Sequence, residues 1–311
     1  MIRTLFILIS LIFFFNSAHC EIAANDIRAI WIWEKDSYSM LDQEASRSQA
    51  LEFFKSKAIN RVYIYSDEFN RINAIRDQPS LYRELIKYFH KNDISVYALL
   101  GSGHLNTEEY ILPEHRKDAL AMVDRVLRFN SGSSKDERFD GINLDIEPHI
   151  LDAWPEKKMQ LLEYFLDMSK AIMDLKHESG LDLQVGPAIP FWLDGIQLNW
   201  HGGTRNVSDH TIDIYDYVAL MDYRDHADGQ DGIISHALDE LAYAGKIGKK
   251  VAIGIEVTPN EIRKVSFNHL AEKDMNRELD TAAKEFLGKP AFDGFVIHHY
   301  RGYLNWLEGQ N

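Results

Sequence analysis

The run Asp140-Gly141-Ile142-Asn143-Leu144-Asp145-Ile146-Glu147-Pro148 decides how the rest of the chain is read. Side chains alternate across a strand, so Asn143, Asp145 and Glu147 share one face and Ile142, Leu144 and Ile146 share the other. Strands of a parallel sheet are normally apolar on both faces. Three polar residues in succession would be costly in a packed core. The apolar face therefore suits a covering layer of helices. The polar face suits a barrel interior, with its last residues climbing to an open mouth.

Working outward, β-rich runs recur at residues 27–33, 60–65, 94–101, 141–147, 181–189, 215–223, 249–257 and 294–300. Helical periodicity fills the gaps, most clearly in Leu161-Leu162-Phe165-Met168-Ile172. Pro113 and Pro155 stand where a first helical turn would begin, and Gly180, Gly248 and Gly288 where a left-handed cap would end one. Strict alternation of eight strands with helices predicts an α/β fold, a single (β/α)8 TIM barrel. A doubly wound open sheet usually carries a glycine-rich loop after its first strand. Here Trp33-Glu34-Lys35-Asp36 follows instead.

A length of 311 residues suits one such barrel, and 45% hydrophobic with 26% charged residues is ordinary globular composition. The formal charge of -14 repels phosphate backbones and anionic lipid, so nucleic acid is not an expected partner. Arg3, an apolar run over residues 5–15 and Ala18-His19-Cys20 have the layout of a secretory signal peptide. The expected organisation is a signal peptide over 1–20 and a catalytic barrel over 21–311. The mature protein would be secreted or periplasmic, with no stable membrane insertion. Cys20 is the only cysteine, and a lipid anchor there is the lesser alternative.

Barrel active sites lie at the C-terminal ends of the strands. Asp145 and Glu147 stand about 6–7 Å apart along the backbone, from the rise per residue. Two carboxylates that close repel, one pKa rises, and a protonated Glu147 has the property a general acid needs. Glu256, ending the seventh run on the side of Ala252 and Gly254, is a second candidate. Glutamates ending strands four and seven resemble the acid/base and nucleophile of a large group of retaining barrel glycosidases, which is what would give Glu256 a catalytic role. The other reading of Glu256 is a rim salt bridge with Arg224 or Arg301. Trp31, Trp33, Trp154, Trp192 and Tyr300 fall at or just after strand ends, where an aromatic face could carry a sugar ring. Trp154, Trp192 and Tyr300 are taken as the sugar-binding candidates. Thirteen histidines raise the question of a metal. His298 and His299 are adjacent and face opposite ways in a strand, and His201, His210, His226 and His236 lack ligand spacing. No metal and no cofactor are expected.

The run from Asp140 to Glu147 resembles the Asp-x-Asp-x-Glu signature of family 18 glycoside hydrolases, which comprise chitinases, endo-N-acetylglucosaminidases and inactive lectin-like relatives. Gly101-Ser102-Gly103 is similar to that family's small Ser/Gly motif, and Met221-Asp222-Tyr223 to its Met-x-Tyr motif. The resemblance implies a glycan substrate with N-acetylhexosamine units and substrate-assisted hydrolysis. Glu147 would protonate the leaving oxygen, Asp145 would orient the attacking 2-acetamido group, and Tyr223 would bond its oxygen. Three positions depart from the pattern. Asn143 stands where the family usually has Asp. Arg224 does likewise after Tyr223, with Asp222 or Asp225 as substitutes. The eighth strand ends Ile297-His298-His299-Tyr300, without the family's tryptophan. A catalytically silent glycan-binding protein is the alternative outcome.

Overall fold

The computed structural model describes residues 27–310. The expected signal peptide, with Cys20, lies outside them. Ten strands form in chain order: β1 Ile27–Ile32, β2 Arg61–Tyr65, β3 Ser95–Leu100, β4 Gly141–Leu144, β5 Gln184–Pro190, β6 Gln197–Trp200, β7 Gly203–Asn206, β8 Tyr217–Met221, β9 Lys250–Glu256 and β10 Phe292–His298. Eight of them close into one parallel barrel in the order β1-β2-β3-β4-β5-β8-β9-β10, with β10 returning to β1. The fold is the expected (β/α)8 barrel. The pair β6–β7 is an antiparallel hairpin that the sequence reading did not anticipate. It occupies the connection after β5 and leads into α7.

The helical layer comprises α1 Glu34–Asp42, α2 Glu44–Ser56, the single turn α3 Ala74–Asp77, α4 Pro79–His90, α5 Arg116–Ser131, α6 Trp154–Ser179, α7 Val207–Ile214, α8 Ile233–Ile247, α9 Glu272–Phe286 and α10 Tyr300–Glu308. Pro155 sits in the first turn of α6, and Gly180 and Gly248 cap α6 and α8 in the left-handed conformation. Pro113 precedes α5 by a turn rather than opening it. The β5 run starts three residues later than expected. Residues 181–183 are not paired as strand, because the ladder with β4 begins only at Gln184 opposite Gly141.

Two apolar layers result. Ile142, Leu144 and Ile146 join the large core between strands and helices. A separate cluster fills the barrel interior, with Trp31, Tyr63, Tyr97 and Tyr217 set among Ala29, Ala188, Ala219 and Ala252. Large rings on some strands require small residues opposite, and two glycines show why. A Cβ on Gly141 would come within 2.3 Å of the Tyr97 ring, and one on Gly254 within 3.1 Å of Trp31. At the lower end Arg61 is buried against Asp293 at 2.7 Å, with its guanidinium 4.6 Å from the centre of the Tyr97 ring. These contacts plug the barrel below, and a cavity lies at the C-terminal ends of its strands. No helix among the described residues is long and apolar enough to cross a membrane.

Candidate active site

β4, which ends at Leu144 rather than at the expected Glu147, and the segment that follows it build the site from the floor upward. Asn143 is fully buried, and its amide is saturated. Its Oδ1 accepts the Trp31 indole N–H at 2.9 Å, and its Nδ2 donates to Gly186 O and to the Tyr217 hydroxyl, each at 3.3 Å. Tyr217 in turn donates to Ile142 O at 3.1 Å. A buried polar layer that is fully partnered rigidifies what stands on it.

Asp145 stands one pleat higher, its backbone N–H bonded to Leu100 O at 2.7 Å. Gly101 makes that approach possible. It has a φ of +108°, and a Cβ there would lie 2.1 Å from the Asp145 carbonyl oxygen. Ser102, next along, donates its hydroxyl to Glu34. Glu147 stands above Asp145, with His149 Nε2 3.2 Å from its Oε2. Together they line a cavity of about 150 Å³ with Trp31, Trp33, Ala188, Met221, Tyr223 and His298. Burial raises the Asp145 pKa, and the neighbouring Glu147 charge raises it further. Glu147 is also raised by burial. Two coupled acids in one desolvated site hold a proton between them near neutral pH. The Tyr223 hydroxyl is kept protonated by burial and by the charges of Glu256, Asp145 and Glu147, so it faces the site as a donor.

Of the expected site residues, Glu147, Asp145 and Tyr223 meet in this cavity, with Asn143 forming the layer below. The others do not line it. Glu256 points aside: its Oε1 accepts the N–H groups of Val257 and Thr258 at 2.8 and 2.6 Å, and its Oε2 lies 2.7 Å from His298 Nδ1. It pairs with His298 rather than with Arg224 or Arg301. Asp222, one residue before Tyr223, turns to the opposite face and bonds His236 Nδ1 at 2.8 Å. Asp225 is held between His226 at 2.7 Å and His269 at 3.1 Å. Trp154 and Trp192 pack around His149, with ring centres 6.1 and 5.2 Å away, and so buttress Glu147 from behind. Tyr300 is buried between Phe53 and Phe54 at the start of α10.

Trp33 was named among the aromatics at strand ends but not taken as a sugar-binding candidate, and His298 was left out of the site. Their signal was the same alternation that exposed β4: Trp31 and Trp33 share a face of the first run, and His298 shares one with Gly294 and Val296. His298 was weighed only as half of a metal pair. Among the described residues, no group of three or more His, Cys, Asp or Glu is arranged to hold a metal ion.

Comparison with solved structures places this geometry among known barrels. A GH18 chitinase mutant from Cycas revoluta in complex with (GlcNAc)4 superposes with a TM-score of 0.55 at 12% identity, covering 90% of this chain and 96% of that one. The chain has the fold of GH18 chitinases. The class V chitinase from Nicotiana tobaccum gives a TM-score of 0.53 at 14% identity over the same shares of the two chains. The Cycas revoluta GH18 chitinase in complex with allosamidin gives 0.51 at 12% identity. Sequence comparison finds no matching family model, and none among curated proteins.

Proposed function

We propose that this chain is a glycoside hydrolase that cleaves glycans with 2-acetamido sugar units by substrate assistance. The observation that carries the reading is the convergence of Asp145, Glu147 and Tyr223 on one cavity at the mouth of a barrel shared with chitinases. In the first step Glu147 gives its proton to the glycosidic oxygen as the bond from that oxygen to the anomeric carbon breaks. The carbonyl oxygen of the substrate's 2-acetamido group attacks the same carbon and closes an oxazolinium ring. Asp145 accepts the acetamido N–H and balances the positive charge, while the Tyr223 hydroxyl donates to the acetamido oxygen. In the second step a water attacks the anomeric carbon, Glu147 takes its proton, and the ring reopens with the original anomeric configuration. Strand-four and strand-seven carboxylates would instead need Glu256 free as a nucleophile. The hydrogen bonds to both Glu256 oxygens weigh against that route.

The expected location is outside the cytoplasm, from the leader-like N-terminus. The test is hydrolysis of (GlcNAc)n oligomers by the purified protein and by Glu147→Gln. Turnover by the parent and none by the variant, which still binds, supports the reading. Binding without turnover by the parent would make the protein a glycan-binding relative. Retained turnover in Glu147→Gln removes the assigned acid.

A further inference from the structure

We infer that Trp33 is the surface on which the bound sugar stacks, and that Glu256 and His298 are positioning residues that hold it; this rests on the glycan reading above. Trp33 follows β1, takes the capping position before α1 and is half-buried in the cavity wall. Its indole N–H lies 3.3 Å from His298 Nε2. An indole nitrogen only donates, so His298 Nε2 must accept and His298 must carry its proton on Nδ1. That proton meets Glu256 Oε2 at 2.7 Å. Glu256 is only 6% exposed, and its other oxygen is fixed by the backbone N–H groups of Val257 and Thr258.

Backbone amides cannot reverse polarity, so the direction of every bond in the chain is set from one end. Two amides hold the carboxylate, the carboxylate sets the imidazole tautomer, and the tautomer holds the indole. The His298 carboxylate partner supplies the orienting role that an outer residue plays for many functional histidines.

The other tryptophans near the mouth are committed elsewhere. Trp31 is buried, with its N–H spent on Asn143 and its ring 5.8 Å from that of Tyr63. Trp154 and Trp192 pack on His149. Trp33 meets His298 edge-on, the ring planes inclined by 74°, so the bond that holds it does not use its face. An aromatic face in a polar cavity is the element that takes the apolar side of a pyranose. The relay thus supplies from β1 a platform that the end of β10 lacks.

The experiment uses the full chain carrying Glu147→Gln, which prevents turnover, and measures the Kd for (GlcNAc)3 by calorimetry. In this background Glu256→Gln keeps the carbonyl that accepts the two amides but turns an NH2 toward His298. His298 must then switch tautomer, and its Nε2–H opposes the Trp33 N–H. Glu256→Gln and Trp33→Phe are each expected to weaken binding about tenfold, the scale of one uncompensated polar group. Trp33→Ala should weaken it more. Combining Glu256→Gln with Trp33→Phe should add nothing further, since both act through the same indole. His298→Asn interrupts the relay at its centre and replaces Glu256→Gln if that variant does not fold. The ¹⁵N spectrum of the free protein gives a readout without ligand, in which Glu256→Gln should exchange the protonated ring nitrogen of His298. Additive losses, an unaltered Kd in Trp33→Ala, or a parent His298 protonated on Nε2 would each overturn the inference. If the parent binds no glycan oligomer, the glycan reading falls and the stacking role with it, an outcome distinct from a parent that binds while the variants are indifferent.

Discussion

Glu240 on α8 makes stability itself a measurable function of pH. Its side chain is 1% exposed, and neither carboxyl oxygen has a hydrogen-bonding partner among the described residues. Burial, with smaller contributions from Asp194, Asp239 and Asp222, pushes its pKa from an ordinary 4.5 up to about 8. The folded protein therefore keeps a proton that the unfolded chain loses, and stability falls as pH rises between those values. At 1.36 kcal/mol per pH unit, the full span costs about 5 kcal/mol once pH exceeds the folded value. Integrated to pH 7, the cost is about 3 kcal/mol, and at pH 5 it is about 1 kcal/mol. Glu240→Gln preserves shape and cannot ionise. Its stability advantage over the parent should therefore grow by about 2 kcal/mol between pH 5 and pH 7. Urea unfolding at four pH values from 5 to 8, with midpoint and slope compared at each, measures that growth. A pH-independent difference between the two proteins would refute the argument, because Glu240 would then be ionised throughout or paired in solution.

The remaining predictions concern the site. Asp145→Asn should reduce turnover at least a hundredfold, since the substituted amide can no longer carry the charge that balances the oxazolinium, and a thiazoline analogue of an N-acetyl sugar should inhibit the parent. Glu256→Gln should act mainly on KM; a kcat loss as large as that of Asp145→Asn, or a 2-fluoro glycoside adduct on Glu256, would return it to the role of nucleophile. Gly101→Ala forces a Cβ to within 2.1 Å of the Asp145 carbonyl at a positive φ, so it should cost about 1–3 kcal/mol of stability and most of the activity; a variant with parental kinetics would show that Asp145 tolerates displacement. EDTA should leave turnover unchanged, because the described residues lack a ligand cluster; loss restored by zinc or manganese would contradict this.

The fold was legible because two periodicities alternate along the chain without interruption. The polar face of the fourth run was legible from its alternation, although β4 itself ends at Leu144 and Asp145 and Glu147 stand in the segment beyond it. What failed was direction at strand ends. Asp222 and Tyr223 are neighbours and face opposite ways, so one enters the cavity and the other meets His236. Tyr300 continues the eighth run in sequence, but α10 begins there and turns its ring into the core. Trp154 opens α6 and Trp192 lies in the turn after β5, yet both rings are drawn to His149, a contact that depends on how these two connections fold over each other. The β6–β7 hairpin was missed because Gln197-Leu198-Asn199-Trp200 has a single buried residue, too weak an alternation to stand out.

Three carboxylates share the barrel mouth, and their partners hold them in different states. Glu256 has two backbone N–H groups and an imidazole, and these lower its pKa despite burial, so it stays ionised. Asp145 and Glu147 have no such set of donors; burial raises both, and the Glu147 charge raises Asp145 further. The residue beneath them decides how far that repulsion extends. A carboxylate at position 143 would add a charge to the same column and face the carbonyl of Gly186, which now accepts from the Asn143 amide. Asparagine keeps the column neutral there while preserving a bond to Trp31 on one side and to Tyr217 on the other. Under the proposed mechanism the proton for chemistry is then confined to the Asp145–Glu147 pair. The charge needed to orient His298 is kept separately on Glu256, where it does not compete for that proton.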